Sequence, residues 1–216
     1  MLLTAEQFEY LNGTDMPKSA ISWPQFYWPE RTVVYSISQQ FSPNKVQVIL
    51  NAMSEIESVS CIRFRPTANI SEHHVAIHRN KTGCFADLGY QGKVQEMNLG
   101  IGCIHKGTIQ HELLHSLGFV HMHCDPRRDD YVTIYWDNIE EKEKKQFVKI
   151  DPRLVTDFGV EYDYSSIMHY GAFTFSRNHQ ETIVPKLYGA KIGLQELSRL
   201  DKVKLNAAYC RSESPN

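Results

Sequence analysis

Segments in which apolar and polar residues alternate predict several β-strands in the first half of the chain. Residues 32–38 are rich in β-branched and aromatic side chains, which favour a strand. Residues 61–65 and 74–78 alternate between apolar and polar positions and predict two further strands. Residues 93–99 indicate another strand, so the strand-forming part of the chain lies mainly before residue 100.

Apolar residues at helical spacing predict helices between and after these strands. Ser42 is placed to cap the first helix, and Pro43 suits its first turn. The apolar residues of this helix keep the helical period to about residue 58: Val46, Ile49, Leu50 and Met53. Residues 138–147 resemble a polar helix with Glu/Lys pairs, and residues 196–209 predict a C-terminal helix. The sequence contains no internal repeat.

Length and composition place the chain among ordinary soluble globular proteins. Its 216 residues fit one large domain or two small lobes, and 42% are hydrophobic and 22% charged. The net charge of -2 argues against a nucleic-acid-binding surface. No apolar run approaches the roughly 18 residues of a membrane span. The apolar run at residues 1–3 is too short for a signal peptide. We therefore expect a signal peptide to be absent or to have been removed.

The cysteines and glycosylation motifs favour a secreted protein. Five cysteines are present, and none forms a C-x-x-C pair, which argues against a zinc ribbon or a redox pair. Because five is odd, at least one thiol stays unpaired. Sequons for N-glycosylation begin at Asn12, Asn69 and Asn80. Several cysteines together with sequons are typical of an oxidising, extracellular setting.

The motif that carries chemistry is H-E-x-x-H-x-x-G-x-x-H, between His111 and His121. His111 and His115 are four residues apart and therefore share one face of a helix, as two zinc ligands do. Glu112 lies beside them and can take a proton from a zinc-bound water. Gly118 can end the helix in a left-handed turn, so that His121 returns as a third ligand. Three protein ligands leave one position open for catalysis.

A simpler interpretation of these histidines is ordinary packing, since a bare H-E-x-x-H arises by chance. The added glycine and third histidine at fixed offsets favour zinc. Ile109, Leu113 and Leu117 recur every four positions and form a separate core face, so packing and metal binding do not compete. Three other histidines lack a metal-binding spacing and are expected to be exposed on strands: His73, His74 and His78.

Together these segments resemble the astacin family of zinc metalloendopeptidases, within the metzincins. The likeness extends over residues 21–210. Residues 107–121 resemble the zinc helix and turn of the family, and residues 128–132 resemble the segment that follows. Residues 166–170 match the S-x-M-H-Y of the methionine turn, and residues 181–185 follow at near-family spacing. The methionine turn makes the resemblance specific to astacins.

The resemblance implies an α+β fold with two lobes and a deep cleft between them. The N-terminal lobe, about 19–121, is expected to contain a twisted sheet and two helices. The C-terminal lobe, about 122–210, is expected to be irregular with one terminal helix. The domain boundaries that follow are a propeptide-like leader at 1–18 and a catalytic domain at 19–216.

The resemblance also implies roles for individual residues. One zinc ion per chain would be held by three histidines: His111, His115 and His121. Glu112 would be the general base, and Met168 an apolar floor below the metal. Tyr170 would be a fifth, displaceable ligand that later donates a hydrogen bond to the oxyanion of the transition state. The alternatives are core packing for Met168 and for Tyr170. The strand at 93–99 is expected to be an edge strand that binds extended substrate.

Disulfide pairings are likewise implied by the resemblance. They are Cys61–Cys210, which would join the lobes, and Cys84–Cys103, which would close a loop near the cleft. Cys124 would stay free.

The chain departs from the family pattern after the third histidine. The family usually has a Glu there that helps to bury the mature N-terminus, whereas this chain has Met122. His123 and Cys124 follow and are also unusual. Residues 192–198 lack an Arg that often lies near the primed side of the substrate. The resemblance therefore does not predict a preference for acidic residues after the scissile bond.

The leader contains a possible latency switch. Family members are held inactive by a propeptide Asp in an F-x-G-D context. Residues 11–16 are similar, with one extra residue between Gly13 and Asp15, and residues 18–21 resemble a processing site cut after Lys18 by an activating protease. The alternative is that Asp15 merely caps a loop turn.

The function implied is that of a secreted, monomeric zinc endopeptidase that acts on protein or peptide substrates. The alternative is a catalytically silent, astacin-like module that binds protein through the same cleft. The intact Glu112 argues against that alternative, because a silent binder has no chemical need for the carboxylate. Another metzincin protease would need a different methionine turn.

Overall fold

A computed structural model of the chain describes residues 24–210, which form the expected α+β fold. The strands are, in chain order, β1 (Thr32–Ile37), β2 (Arg63–Pro66), β3 (Val75–His78), β4 (Cys84–Ala86), β5 (Gln95–Leu99), β6 (Val132–Ile134) and β7 (Ile183–Pro185). The α-helices are α1 (Pro43–Val59), α2 (Lys106–Ser116) and α3 (Arg199–Tyr209). None of the helices within residues 24–210 is long and apolar enough to cross a membrane.

The main sheet has five strands in the order β2-β1-β3-β5-β4. All neighbours are parallel except β4, which runs antiparallel to β5 and pairs Phe85 with Asn98. The prediction that residues 93–99 form an edge strand is therefore wrong. The chain folds back after β3, and β4 covers the outer side of β5. β4 is the edge strand on this side of the sheet, with β2 at the opposite edge, and β4 lies beside α2.

Helices α1 and α2 pack together against this sheet. On α1 the buried residues are Ile49, Ala52, Met53 and Ile56. Two of the four predicted apolar residues are thus buried, and the other two, Val46 and Leu50, are half-buried. On α2, Ile109 and Leu113 are buried, and Leu117 is buried just beyond its end, so the predicted core face is confirmed. Removal of this apolar surface from water stabilises the two helices on the sheet by roughly 25 cal/mol per Å².

After residue 121 the chain is mostly irregular, as expected. β6 and β7 form a two-stranded antiparallel sheet. The prediction of a polar α-helix at 138–147 is wrong. This region contains two 3-10 helices instead, Trp136–Asn138 and Glu141–Phe147. Buried Phe147 and the carbonyl oxygens near it explain the difference. The Gln146 carbonyl lies 2.9 Å from His123 Nε2, so tertiary contacts compete with a regular α-helix.

The last helix, α3, begins three residues later than predicted. Ser198 is its N-cap and forms a capping box with Asp201: each side chain accepts a hydrogen bond from the other's backbone N–H. At the other end Cys210 is bonded to Cys61, near the end of α1. The second disulfide joins Cys84 to Cys103. Both pairings expected from the resemblance are present, and Cys124 is free and buried.

The three histidines that lack a metal-binding spacing differ in their exposure. His73 is exposed, as predicted. His74 is buried, and its Nδ1 lies 2.7 Å from the Glu72 carbonyl oxygen, so the prediction of an exposed side chain is wrong there. His78 is half-buried, and its Nε2 lies 2.7 Å from a Glu96 carboxylate oxygen.

Candidate metal centre

Helix α2 and the turn after it bring three histidine nitrogens together. His111 and His115 lie one turn apart on α2. Gly118 has φ +92°, a left-handed conformation that a side chain with a Cβ resists, and it turns the chain back toward the helix. The Nε2 of His121 then lies 3.1 Å from the Nε2 of His111 and 3.1 Å from that of His115.

Hydrogen bonds on the far side of two rings orient these nitrogens. Nδ1 of His111 lies 2.7 Å from the Ile167 carbonyl oxygen, and Nδ1 of His115 lies 2.7 Å from the Phe119 carbonyl oxygen. A carbonyl oxygen can only accept, so each Nδ1 donates, and in the neutral ring each Nε2 carries a lone pair. Nε2 of His121 lies 3.1 Å from both of these nitrogens and has at most one proton to donate, so at least one close pair has no hydrogen bond unless a cation lies between the rings. The donor set therefore fits a metal such as zinc.

Burial also keeps these rings in the protonation state that a metal requires. Desolvation lowers the pKa of His111 to about 4. The same effect holds the pKa of His115 and of His121 well below the ordinary value. All three imidazoles are neutral at pH 7, and no proton has to be displaced before they coordinate.

Glu112 is buried beside the histidines, with 3% of its surface exposed. Its Oε2 has no hydrogen-bond partner among the described residues. Burial raises the pKa of Glu112 to about 7. A carboxylate with a free oxygen and a pKa near neutrality has the properties of a general base.

The end of α2 is held by side chains from distant parts of the chain. The indole N–H of Trp28 donates to the Ser116 carbonyl oxygen at 2.8 Å, and the hydroxyl of Tyr209 donates to the Leu117 carbonyl oxygen at 3.0 Å. These donors satisfy carbonyl groups that a helix end leaves without partners. They fix the point at which the helix stops, and with it the path to His121.

The methionine turn lies against the histidines from the other side. Met168 is buried, and its carbonyl oxygen accepts a hydrogen bond from the Met122 N–H at 3.0 Å. Asp201 holds this turn to α3: its carboxylate accepts from the Ser166 hydroxyl at 2.6 Å and from the Ile167 N–H at 2.9 Å. The same Ile167 carbonyl orients His111, so α3 is linked to the metal site through the turn.

Tyr170 faces the site among aromatic rings. Its ring centroid lies 4.4 Å from that of His121, and it stacks on His123 at 3.9 Å with an angle of 23° between the planes. Burial raises the pKa of the Tyr170 phenol. The hydroxyl therefore keeps its proton at neutral pH and can act as a hydrogen-bond donor.

Beside these residues lies a cavity of about 290 Å³. Its lining includes four of the residues singled out in the sequence: His111, Glu112, His121 and Tyr170. His115 is fully buried behind them. The remaining lining residues are Cys84, Thr108, Thr174, Phe175 and Gln195. Asp15 and Lys18 lie outside the described residues.

Three residues near the site had no role assigned from the sequence. They are His123, Phe175 and Asp201. Each acts through a contact with a distant segment, such as the stacking of His123 on Tyr170. The one local signal was Ser198 three residues before Asp201, the spacing of a capping box.

The departures after the third histidine are accommodated in the core. Met122 is buried, and the Lys204 ammonium donates to its sulfur at 3.2 Å. Cys124 is also buried, which raises the pKa of its thiol to about 12. A thiol with so high a pKa is unreactive at neutral pH.

Known proteins resemble this chain over most of its length. The peptidase family described as Astacin matches residues 20–210. The chain is similar to "Zinc metalloproteinase nas-15" of Caenorhabditis elegans, with 42% identity over 84% of this chain and 32% of that protein. It is 42% identical to "Seminal metalloprotease 1" of Drosophila melanogaster, over 85% of this chain and 78% of that protein.

Among solved structures, the chain is similar to High choriolytic enzyme 1, a hatching enzyme zinc-protease from Oryzias latipes. The TM-score is 0.81 and the identity 34%, with 89% of this chain and 98% of that chain covered. The chain spans about a third to three fifths of the length of the first several curated relatives that it matches.

Proposed function

This chain belongs to the astacin family, and from that premise we propose that it is a zinc-dependent endopeptidase that hydrolyses peptide bonds in protein or peptide substrates. The observation that carries the proposal is the convergence of three neutral imidazole nitrogens at 3.1 Å beside a buried carboxylate. Neither core packing nor a silent binding surface requires that arrangement.

The residues proposed to hold one zinc ion are His111, His115 and His121, with Tyr170 as a fifth, displaceable ligand. When bound, zinc supplies an acidified water and a Lewis acid for the scissile carbonyl. Glu112, whose Oε2 has no hydrogen-bond partner among the described residues, would accept a proton from the attacking water and pass it to the leaving amine. The Tyr170 hydroxyl donates a hydrogen bond to the oxyanion, whose charge exists only in the transition state.

The decisive test separates metal binding from proton transfer. Removal of the metal with a chelator should abolish peptide hydrolysis, and added zinc should restore it. Glu112→Gln should retain one zinc per chain by metal analysis, because the three histidines are unchanged, and should lose nearly all kcat. Near-normal turnover by this variant would rule out Glu112 as the base.

The same assays decide between an enzyme and a catalytically silent binding module. A silent module would bind peptides through the cleft with equal affinity before and after Glu112→Gln, and neither form would hydrolyse them. The presence of Glu112 favours the enzyme, since a silent binder has no chemical need for a carboxylate beside the three histidines.

The proposal extends to the setting in which the protein works. Two disulfides in the described residues and the three sequons favour a secreted protein. We also propose that it acts as a monomer. An activating protease is a proposed partner, since residues 18–21 resemble a processing site. Intact-mass measurement of the protein secreted from cells, before and after deglycosylation, tests secretion and glycan occupancy together.

A further inference from the structure

We propose that Phe175 forms the wall of a subsite that selects substrates with an aromatic or large apolar side chain next to the scissile bond. The proposal rests on the proposed endopeptidase function and adds a substrate class to it. Three independent features of the structure point to Phe175: its place in the cavity, its backbone conformation and the neutral surface around it.

Phe175 stands at the entrance of the cavity beside the catalytic residues. Its ring makes edge-on contacts with Tyr170, at 5.8 Å between centroids, and with the fully buried Phe147, at 6.4 Å. Yet 36% of Phe175 stays exposed, and the residue lines the cavity. An aromatic ring that packs against two other rings and also lines the cavity is suited to contact an apolar side chain.

The backbone of Phe175 adopts an energetically unfavourable conformation. Phe175 has φ +56°, a left-handed conformation that is unfavourable for a bulky residue. Its carbonyl oxygen accepts a hydrogen bond from the Glu140 N–H at 2.9 Å, and the Thr182 hydroxyl donates to the carbonyl oxygen of the preceding Thr174 at 2.8 Å. Strain that is held by surrounding contacts is typical of functional positions.

The chemical character of the cavity favours a neutral side chain. Among the described residues that line it there is no Lys or Arg, and Glu112 is the one carboxylic acid. Thr108, Thr174 and Gln195 contribute neutral polar groups. The backbone of Gln195 packs closely on Gly107 of α2: a Cβ at that position would meet the Gln195 carbonyl oxygen at 2.1 Å, so the close approach requires glycine. An acidic substrate side chain would find no cationic side chain among these lining residues.

The test uses peptides that differ at only one residue next to the scissile bond, which is Phe, Ala or Asp. One series of three peptides varies the residue before the scissile bond, and a second series varies the residue after it. Wild-type protein should cleave the Phe peptide with a kcat/KM about tenfold above that of the Ala peptide on one side, and should cleave the Asp peptide most slowly. Phe175→Ala should lower the kcat/KM of the Phe peptide more than that of the Ala peptide, so that the ratio between the two falls from about ten toward one.

Control variants separate the ring from the fold. Phe173→Ala removes a side chain that is 59% exposed and does not line the cavity, and it should leave the selectivity unchanged. Phe175→Gly accepts the left-handed backbone without strain and should lose selectivity to the same extent as Phe175→Ala. If Phe175 only supported Tyr170, Phe175→Ala and Phe175→Gly would slow the cleavage of all three peptides equally. The ratio of kcat/KM between the Phe and Ala peptides would then stay the same, and this result would overturn the proposal.

A binding assay keeps the inference testable apart from hydrolysis. Zinc-loaded Glu112→Gln should bind the Phe peptide about tenfold more tightly than the Ala peptide, and the added Phe175→Ala should abolish the difference. If the wild-type protein hydrolysed no peptide but still bound the Phe peptide more tightly than the Ala peptide, the proposed endopeptidase function would be refuted and the proposed subsite would be retained. Equal binding of all three peptides would refute the subsite alone.

Discussion

At the scale of single residues, Tyr170 shows how the surroundings of a side chain determine its chemistry. Burial raises the pKa of its phenol, and its ring stacks on that of His123. A protonated phenol can donate a hydrogen bond but cannot act as a base. Such a donor contributes most where negative charge develops in the transition state.

We therefore expect Tyr170→Phe to lower kcat by about 10- to 1000-fold with little change in KM, since the lost hydrogen bond forms only in the transition state. Steady-state kinetics on one peptide would check this, with metal analysis to show that zinc is retained. A raised KM at unchanged kcat would instead make Tyr170 a substrate-binding residue.

At the scale of secondary-structure elements, Asp201 links the N-terminus of α3 to the methionine turn. Its carboxylate accepts hydrogen bonds from three donors: the Ser166 hydroxyl, the Ile167 N–H and the Ser198 N–H. The Ile167 carbonyl in turn orients His111. One carboxylate thus caps a helix, closes a turn and supports a proposed zinc ligand.

Asp201→Ala should lower the free energy of unfolding by about 2–4 kcal/mol, because buried donors lose their acceptor. It should also weaken zinc binding, since His111 loses its support. Chemical denaturation of the metal-free protein and zinc titration would measure the two effects. Val203→Ala, at a position that is 41% exposed on the same helix, is the matched control. Equal stability of the two variants would contradict this role.

At the scale of the whole molecule, two disulfides constrain very different lengths of chain. Cys61–Cys210 spans 149 residues and joins the two parts of the fold, whereas Cys84–Cys103 spans 19 residues beside the cleft. The entropy lost by the unfolded chain grows with the length of the closed loop.

Replacement of Cys61 and Cys210 by Ser should therefore cost about 4–5 kcal/mol and lower Tm by about 10 °C. The same change at Cys84 and Cys103 should cost about 3 kcal/mol. Calorimetry of both double variants without reductant would give the order of the two effects. A larger loss at the shorter loop would show that local packing outweighs chain entropy.

The leader gives a further expectation for the whole chain. Asp15 lies outside the described residues, and its predicted role is to occupy the metal position of the catalytic water. The uncut chain should then be inactive until a trypsin-like protease cuts after Lys18, and Asp15→Ala should raise activity without that cut. Full activity of the uncut wild-type chain would exclude the switch, and Asp15 would be left as a turn residue.

The sequence by itself determined what depends on local order. The spacing of His111, His115 and His121 around Gly118 follows from helix geometry and one left-handed turn, so the metal-binding group was predictable. The core face of α2 followed from periodicity for the same reason. The general α+β fold and both disulfide pairings came from the resemblance of longer motifs to a known family.

Tertiary structure alone decided what depends on contacts between distant segments. The edge of the sheet is β4 rather than β5, because strand order depends on how the chain returns. Residues 141–147 form a 3-10 helix because buried contacts at Phe147 override a weak polar pattern. The stacking of His123 on Tyr170, the support from Asp201 and the position of Phe175 are likewise long-range. No local pattern encodes them, since each depends on segments that meet only after the chain has folded.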